Sequence, residues 1–277
     1  MSAGSRIGTV VGVIASARLL AAYDEQLRTD AEASGAIALM RRGPLYLIEL
    51  AGGRGFITYR DLGGASARTV RQLVSEAVAH FVDRAEITRV EWKTRGHDVA
   101  PGLHDALLDN GFTPGDQESI MLGETRMLAR EVPVPEGIVL RRITDEADVR
   151  AMIEMRDAAF GNGVTHETAA SLLPRLRGSD GMQLWAAYSG ARIVSCGRLE
   201  PVAGTQFAGL WGGATTLQWR GRGIYRALTA ARARSALGAG KTLMYSESTD
   251  YSRPILERAG FVTVSSTTPY WWVRGPG

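Results

Sequence analysis

The chain has 277 residues, a length that exceeds one ordinary domain and suits two domains of about 140 residues each. Its residues are 45% hydrophobic and 22% charged, as in globular proteins, which excludes disordered, collagen-like and low-complexity classes. The net charge of +3 is divided unevenly. Residues 1–135 carry 15 Lys and Arg against 17 Asp and Glu, and residues 136–277 carry 17 against 12. The positive second part suits an anion site, although chance scatter of charges would look the same.

Several classes of site and location are excluded or disfavoured by composition. A single cysteine, Cys196, excludes an internal disulfide and a zinc site built on two thiolates, and we predict no metal site and a cytoplasmic location. The sequence has no uninterrupted run of 18 apolar residues, so we predict no membrane-spanning helix. The apolar start resembles a weak signal peptide, but the helical pattern continues through Tyr23, which argues against cleavage there. Basic residues do not cluster with stacking aromatics, so we predict no nucleic-acid partner.

The first part of the chain predicts alternating helices and strands that end at a proline-containing break. We expect a helix over 15–33, strands over 37–41, 44–50 and 55–60, a helix over 66–83, a strand over 88–93, a short helix over 101–110 and a strand over 117–123. A break falls near residues 123–137, where Pro133 and Pro135 favour extended backbone, and we place the domain boundary between residues 130 and 137.

After the break a similar order of elements returns. We expect a strand from 139, helices over 145–160 and 168–177, strands over 183–188, 192–200 and 206–216, a helix over 223–238, a strand over 242–248, a helix over 252–259 and a strand over 261–274. The pattern Leu-x-x-x-Gly-Phe occurs at 107–112 and again at 256–261, before the last strand of each half. The chain therefore predicts a duplicated unit, with domains 1–130 and 137–277.

The most informative segment is the turn that precedes the helix over 223–238. Gly221 and Gly223 allow close backbone approach, and the N–H groups of a helix N-terminus together with its dipole attract phosphate oxygens. Arg220 and Arg222 can add charged contacts. The plainer alternative is a strand–helix turn that happens to contain two glycines.

Two known phosphate motifs do not fit this turn, and a third pattern does. A P-loop needs a Lys that is absent here, and the dinucleotide fingerprint needs a glycine where Arg226 stands. The remaining pattern Q-x-x-G-x-G, filled by Gln218, Gly221 and Gly223, resembles the acetyl-CoA signature of the Gcn5-related N-acetyltransferase (GNAT) family.

The resemblance to the GNAT family extends over most of the chain. It is specific over 138–274 and looser over 15–123, where only the glycine pair 63–64 stands in the place of the signature. The chain therefore resembles a tandem GNAT protein with a degenerate N-terminal half. This resemblance implies an α/β fold with a mixed sheet in each of two acyl-CoA N-acyltransferase domains, of which only the second binds cofactor.

The resemblance implies acetyl-CoA as cofactor, with CoA as product. In the family the pyrophosphate rests on backbone N–H groups of the signature loop, and the preceding strand pairs with the pantetheine arm. The residues that this implicates are Gly213, Ala214, Thr215, Gln218, Trp219, Arg220, Gly221, Arg222, Gly223, Ile224 and Tyr225. Ser252 suits a contact with the cofactor arm and equally suits a helix N-cap.

In the family an amine attacks the thioester directly in a ternary complex, which needs a base for the amine and a proton for the thiolate. Glu247 and Glu200, at predicted strand ends, and His166, in a loop that would lie over the acceptor, are the candidate bases. Solvated strand-end carboxylates and a surface histidine are the alternatives. Many members place a tyrosine acid where this chain has Leu256. The hydroxyls that could replace it are those of Tyr225, Tyr245 and Tyr251.

The sequence therefore predicts an acetyl-CoA-dependent N-acetyltransferase that acts on a primary amine of a small molecule, as a monomer or homodimer. A protein N-terminus or lysine is the alternative acceptor within the same class. A non-catalytic acyl-CoA-binding module is the alternative from another class, since the usual tyrosine is absent. Aminoacyl transfer from tRNA on a related tandem fold is disfavoured by the acetyl-CoA signature.

Overall fold

The computed structural model describes residues 3–33, 35–160 and 169–275, and its contacts group the chain into two compact units. The first unit comprises Met1–Ile120 and Thr263–Gly277, and the second comprises Met121–Val262. The sequence predicted domains 1–130 and 137–277, with the last strand in the second. The contacts instead place that strand in the first unit, because a local pattern predicts a strand without saying which neighbour it pairs with.

The first unit is a mixed sheet with helices packed on it. Its elements are α1 (Ala3–Gln26), a 3-10 turn (Asp30–Ala33), β1 (Ala36–Arg42), β2 (Leu45–Leu50), β3 (Arg54–Tyr59), α2 (Ala67–Val82), β4 (Arg89–Arg95), α3 (Leu103–Asp109), β5 (Thr113–Pro114), β6 (Glu118–Glu124), which continues into the second unit, and the chain's last strand, β12 (Val262–Val273). Strands β1, β2 and β3 form an antiparallel meander, β4 is parallel to β3, and β12 is antiparallel to β4 from Thr267 to Val273.

Helix α2 shows why this unit folds as it does. Its buried residues Val70, Val74, Ala77 and Phe81 follow helical spacing and pack with core side chains of the sheet. Ser66 precedes the helix in extended backbone, and its Oγ accepts a hydrogen bond from the Thr69 N–H at 3.3 Å, which caps the first turn. The apolar residues that predicted this helix therefore form the face that the helix buries.

The second unit repeats the arrangement of a meander followed by a helix and a parallel strand. Its elements are α4 (Thr125–Leu128), β7 (Ile138–Ile143), α5 (Glu146–Phe160), α6 (Ala169–Arg177), β8 (Gln183–Ser189), β9 (Arg192–Pro201), β10 (Phe207–Thr215), a 3-10 turn (Leu217–Trp219), α7 (Ile224–Gly238), β11 (Leu243–Ser248) and α8 (Arg253–Ala259). Strands β7 to β10 are consecutively antiparallel, and β11 is parallel to β10.

The two faces of the second sheet are buried against different helices. Leu199, Leu210 and Met244 pack with residues of α7, and we call this side the α7 face. Ala186 and Cys196 pack with residues of α5 and α6, and we call that side the α5 face. Because side chains alternate along a strand, these contacts fix which residues of β9, β10 and β11 share each face.

The boundaries of most predicted elements agree with the structure to within a few residues, and the sequence did not predict the short strand β5. Helix α1 begins at Ala3 and ends at Gln26, whereas we expected a helix over 15–33. The predicted proline-containing break also includes the short helix α4, whose Thr125 N–H donates to the Thr242 carbonyl. Within the described residues, no helix combines the length and apolar character that a membrane span needs.

Candidate active site

Strands β10 and β11 separate partway along their length. Their parallel register covers only Phe207 to Gly209 against Leu243 to Tyr245, although both strands continue further. Just beyond the last pair, the Ser246 hydroxyl donates to the Leu210 carbonyl at 3.0 Å. The strands therefore form a wedge, and the backbone edge of β10 beyond Leu210 faces that opening.

A bulge in β10 lies on this edge. The register of β10 with β9 shifts between Trp211 and Ala214, and Gly212 adopts a left-handed backbone with φ of 58°. Gly213 lies beneath the ring of Tyr225, where an added Cβ would overlap the hydroxyl and approach Cζ to 2.8 Å. Both glycines are therefore required locally, one by backbone conformation and the other by the close approach of Tyr225.

The predicted signature loop connects this strand to α7. Gly221 and Gly223 have φ angles of 74° and 80°, and beyond the adjacent residues of the chain no atom lies within 4 Å of a Cβ built on either one. The loop therefore has the left-handed backbone that glycine favours and open space on the side where a side chain would project. This is room for a ligand to approach the backbone.

The N-terminus of α7 presents N–H groups that have no side-chain cap. Gly223 occupies the N-cap position, and the first hydrogen bond of the helix runs from the Ala227 N–H to the Gly223 carbonyl at 3.0 Å. The N–H groups of Ile224, Tyr225 and Arg226 precede that bond, as in any helix start. Together with the helix dipole they form a site that suits an anion.

The helix in the same place in the first unit has a different start. The N-terminus of α2 is capped by Ser66, and in the preceding loop the Asp61 carboxylate accepts the Gly63 N–H at 2.8 Å. A carboxylate already occupies this loop as an anion, so a phosphate would meet both a filled donor and a repulsive charge. Of these two loops, the one before α7 has the uncapped helix N-terminus and the one before α2 does not.

The two predicted arginines of the loop have different roles in the structure. Arg220 donates to the carbonyls of Thr215 and Ala159 at 3.0 and 3.3 Å, so it braces the loop against β10 and α5. The Arg222 guanidinium lies 4.7 Å from the centre of the Trp219 ring and is exposed. Arg222 is therefore the better placed of the two to meet a ligand from solvent.

The α5 face of the wedge is aromatic and charged. In the register, Trp211 lies opposite Arg198, and Gly209 lies opposite both Glu200 and Tyr245. The rings of Trp211 and Tyr245 meet edge to face, with centroids 5.3 Å apart. We call Trp211 and Tyr245, together with Gly209, Arg198 and Glu200 on the same face, the aromatic wall.

The carboxylate of Glu200 is engaged by two guanidinium groups. Its Oε1 lies 2.6 Å from Arg198 Nε and 2.8 Å from Arg175 Nη1, and Arg175 also contacts Asp180. Burial lowers the pKa of Arg198, and the neighbouring Glu200 opposes that shift. The Oε1 lone pairs of Glu200 are therefore occupied by the two guanidinium groups. Its geometry is that of an ion-pair centre rather than of a general base.

Glu247 has a different setting. It is half-buried two residues beyond Tyr245 on β11, so alternation places it on the aromatic wall beside the wedge. His166 falls in 161–168, outside the described residues. Glu247 therefore borders the opening from the α5 face.

Three further residues that the sequence singled out have different surroundings. Ser252 precedes α8 but makes no cap, and its Oγ instead donates to the Thr249 carbonyl at 3.3 Å. Leu256 is buried in the core beside Phe261, so it is a packing residue. Burial raises the pKa of Cys196 to about 11, which keeps the thiol protonated and unreactive.

The wedge of the first unit is filled by its own side chains. Strands β3 and β4 are paired from Arg54 to Ile57, and beyond that point the Tyr59 carbonyl accepts two hydrogen bonds from Arg28, at 3.0 and 3.2 Å. Arg28 also lies 2.7 Å from the Asp98 carboxylate. The backbone acceptor at the end of β3 is therefore already used.

A second group of buried charges adjoins Arg28. Glu32 contacts Arg95 at 2.5 Å and Lys93 at 3.8 Å, and it accepts a hydrogen bond from Thr58. Burial alone would raise the pKa of Glu32, but Arg95, Lys93 and Thr58 together hold it below its ordinary value. The carboxylate therefore stays ionised and holds this network in place.

Sequence reasoning did not identify the aromatic wall. It could have been found from the alternation of side chains along a strand, because Trp211 and Tyr245 lie on the strands that lead into the signature loop and the predicted base. Among the described residues, no group of three or more His, Cys, Asp and Glu side chains could hold a metal ion.

The comparison with solved structures shows similarity to known proteins, whereas the comparisons of sequence do not. No family model matches the sequence, and no curated protein matches it. A GCN5-related N-acetyltransferase from Kribbella flavida is similar with a TM-score of 0.66 and 17% identity, covering 89% of this chain and 95% of that one. A GCN5-related N-acetyltransferase from Sphaerobacter thermophilus gives 0.60 and 19%, covering 84% and 78%.

A third solved structure is described as a tandem GNAT protein from the clavulanic acid biosynthesis pathway. Its TM-score is 0.58 at 16% identity, and the match covers 84% of this chain and 79% of that one. The chain therefore has the mixed α/β fold of GNAT acetyltransferases, including one with a tandem arrangement, and the predicted fold class is confirmed.

Proposed function

We propose that this chain is an acetyl-CoA-dependent N-acetyltransferase, active in its second unit, that acetylates a primary amine of a small molecule by direct attack in a ternary complex. One observation carries the proposal: the uncapped N-terminus of α7 follows a glycine loop that leads from the open edge of β10. A phosphate site and an unpaired strand edge in succession suit a ligand with a diphosphate and an extended amide-bearing arm.

The residues of the loop fit such a cofactor. The N–H groups from Gly221 to Tyr225 would take the diphosphate, and the exposed Arg222 would add charge. The backbone of Gly213 to Thr215 would pair with the pantetheine amides, as a strand adds to a sheet edge. When bound, acetyl-CoA supplies an activated acetyl thioester.

The chain's own groups would manage the protons. Glu247, on the α5 face, would take a proton from the acceptor ammonium or amine, directly or through water. Tyr225, whose hydroxyl lies over Gly213 on the α7 face, would return a proton to the departing thiolate. The Tyr225 assignment replaces the acid that the family usually has where Leu256 stands here.

The first unit would be structural. Its helix α2 is capped by Ser66, its loop contains the bonded Asp61 carboxylate, and Arg28 occupies the end of β3. These three features support one cofactor site per chain. We also propose a cytoplasmic protein that acts as a monomer or homodimer, with the single buried Cys196 as the support for a reducing compartment.

A thiol-release assay over a panel of primary amines tests the transferase proposal, with acetyl-CoA affinity measured in parallel by calorimetry. Release of CoA that depends on both acetyl-CoA and an amine is the expected result. Tight binding with no release for any amine would favour the acyl-CoA-binding module. Release only with a peptide amine would move the acceptor to a protein N-terminus or lysine.

A further inference from the structure

The aromatic wall has a composition that bears on the acceptor. Tyr225 and the start of α7 approach the wedge from the α7 face, so a cofactor held there leaves the opposite, α5, face for the acceptor. On that face, Trp211 and Tyr245 present half-buried rings, and Phe207 meets Tyr245 edge to face with centroids 6.0 Å apart. Two half-buried rings thus line one side of the opening, and the buried Phe207 packs against Tyr245 in the paired part of the strands.

Gly209 sets the position of the Trp211 ring. A Cβ at Gly209 would overlap Trp211 Nε1 and would lie 2.9 Å from Cε2 of the same ring and 3.1 Å from Tyr245 Cε1. The indole therefore folds across the strand over a residue that has no side chain, with the edge of Tyr245 beside it. A flat platform of this kind is built by the packing and is not a chance exposure of one tryptophan.

The charges beside the aromatic wall bear on how many ammonium groups the acceptor carries. Glu200 and Asp180 are balanced by Arg175 and Arg198 in one connected group. The buried Arg156 adds positive potential near Arg198 and lowers its pKa further. Arg156 is itself paired with Asp157, and Glu247 adds one carboxylate on the same face, so four carboxylates stand against three guanidinium groups. A surplus of one negative charge suits one ammonium group better than the several of a polyamine.

Resting on the proposed N-acetyltransferase function, we propose that the acceptor is a monoamine with a flat aromatic body, which stacks against Trp211 and Tyr245 while its amine points toward Glu247. Glu247 is two residues beyond Tyr245 on the same face, about 7 Å along the strand. This spacing matches an aryl ring joined to its amine by a short carbon chain. Trp211 is then the residue that determines acceptor specificity.

The test compares three amines on the whole chain: phenethylamine, hexylamine, which has a similar carbon content without a ring, and spermidine, which carries several charges. We expect kcat/KM for phenethylamine to exceed the other two by about tenfold. Trp211→Ala should remove that preference through KM, and Gly209→Ala, which displaces the ring without deleting it, should reduce it in the same direction. Both variants should bind acetyl-CoA as the parent does.

Trp185→Phe is the matched control, because Trp185 packs with the α7-face core and bonds Gln183. It should retain the preference for phenethylamine. Calorimetry of phenethylamine on the CoA-loaded protein gives a second readout that needs no turnover, and Trp211→Ala should weaken this binding by about tenfold.

The outcomes separate this inference from the proposed function. Preference for spermidine, or a preference for phenethylamine that survives Trp211→Ala, would overturn the acceptor class while leaving the transferase in place. Binding of phenethylamine that depends on Trp211, without thiol release, would support the wall and sink the transferase proposal. Absence of phenethylamine binding to the parent protein would refute the inference outright.

Discussion

A negative charge placed at the signature loop tests the phosphate site directly. Gly221 has a φ of 74° and no neighbour within 4 Å of an added Cβ, so any side chain there meets backbone strain and no steric clash. Gly221→Ala and Gly221→Glu therefore carry the same strain, about 1–2 kcal/mol each. The difference in acetyl-CoA affinity between the two variants therefore measures the effect of the carboxylate alone.

The size of that difference follows from the geometry. A carboxylate on the loop backbone would lie roughly 6 Å from a bound diphosphate, where one pair of unit charges repels by about 3 kcal/mol at an effective dielectric constant of about 20. Allowing for solvent screening, we expect Gly221→Glu to bind acetyl-CoA about 10 to 100 times more weakly than Gly221→Ala.

Calorimetry with acetyl-CoA measures this ratio, and thermal melts confirm that both variants fold. Gly204→Glu is the matched control, since Gly204 is exposed, has a φ of 70° and also has no neighbour within 4 Å of an added Cβ. It introduces the same residue at a similar backbone angle away from the loop and should bind as the parent does. If Gly221→Glu binds within twofold of Gly221→Ala, the diphosphate does not rest on this loop.

Calorimetry should also give one acetyl-CoA site per chain, and two sites would contradict the structural role of the first unit. Glu247→Gln should lower kcat about 100-fold and flatten its pH profile, whereas Glu200→Gln should chiefly lower the melting temperature, and equal pH profiles for both would refute the base assignment. Tyr225→Phe should lower kcat with little change in acetyl-CoA affinity, and an unchanged kcat would exclude this hydroxyl as the acid. Because the pKa of Glu32 is lowered by folding, the stability it contributes is present above its ordinary pKa of 4.5 and is lost as pH falls through the lowered value. Glu32→Gln should therefore lose about 3 kcal/mol at neutral pH and weaken the acid dependence of unfolding, whereas exposed Glu86→Gln should do neither.

Local pattern was sufficient to predict most elements and the loop. The hydrophobic period of α2 and the alternation of the strands are properties of neighbouring residues, so they can be read from the chain directly. The spacing of Gln218, Gly221 and Gly223 identified the loop for the same reason. In the structure, Gly221 and Gly223 both have left-handed backbone angles.

Long-range pairing could not be predicted in the same way. The last strand reads as a strand in any context, and only the register with β4 assigns it to the first unit. The engagement of Glu200 by Arg175 joins residues 25 positions apart in the chain, and that of Glu32 by Arg95 joins residues 63 apart. Such ion pairs leave no periodic signal, so Glu200 looked like a base from the sequence and is an ion-pair centre in the structure.

The wedges of the two units differ in what occupies the strand edge. In the second unit, β10 and β11 separate after three paired positions, and a glycine bulge leaves the edge of β10 clear. In the first unit, β3 and β4 pair over four positions, and the carbonyl of Tyr59 at the end of β3 is taken by Arg28. A buried arginine that bonds a backbone carbonyl and the Asp98 carboxylate costs several kcal/mol to displace, because removal would leave a desolvated carboxylate without its partner. A pantetheine arm would have to break these bonds before it could pair with β3. The absence of the signature at 62–77 is thus matched by a buried arginine that bonds the strand edge internally.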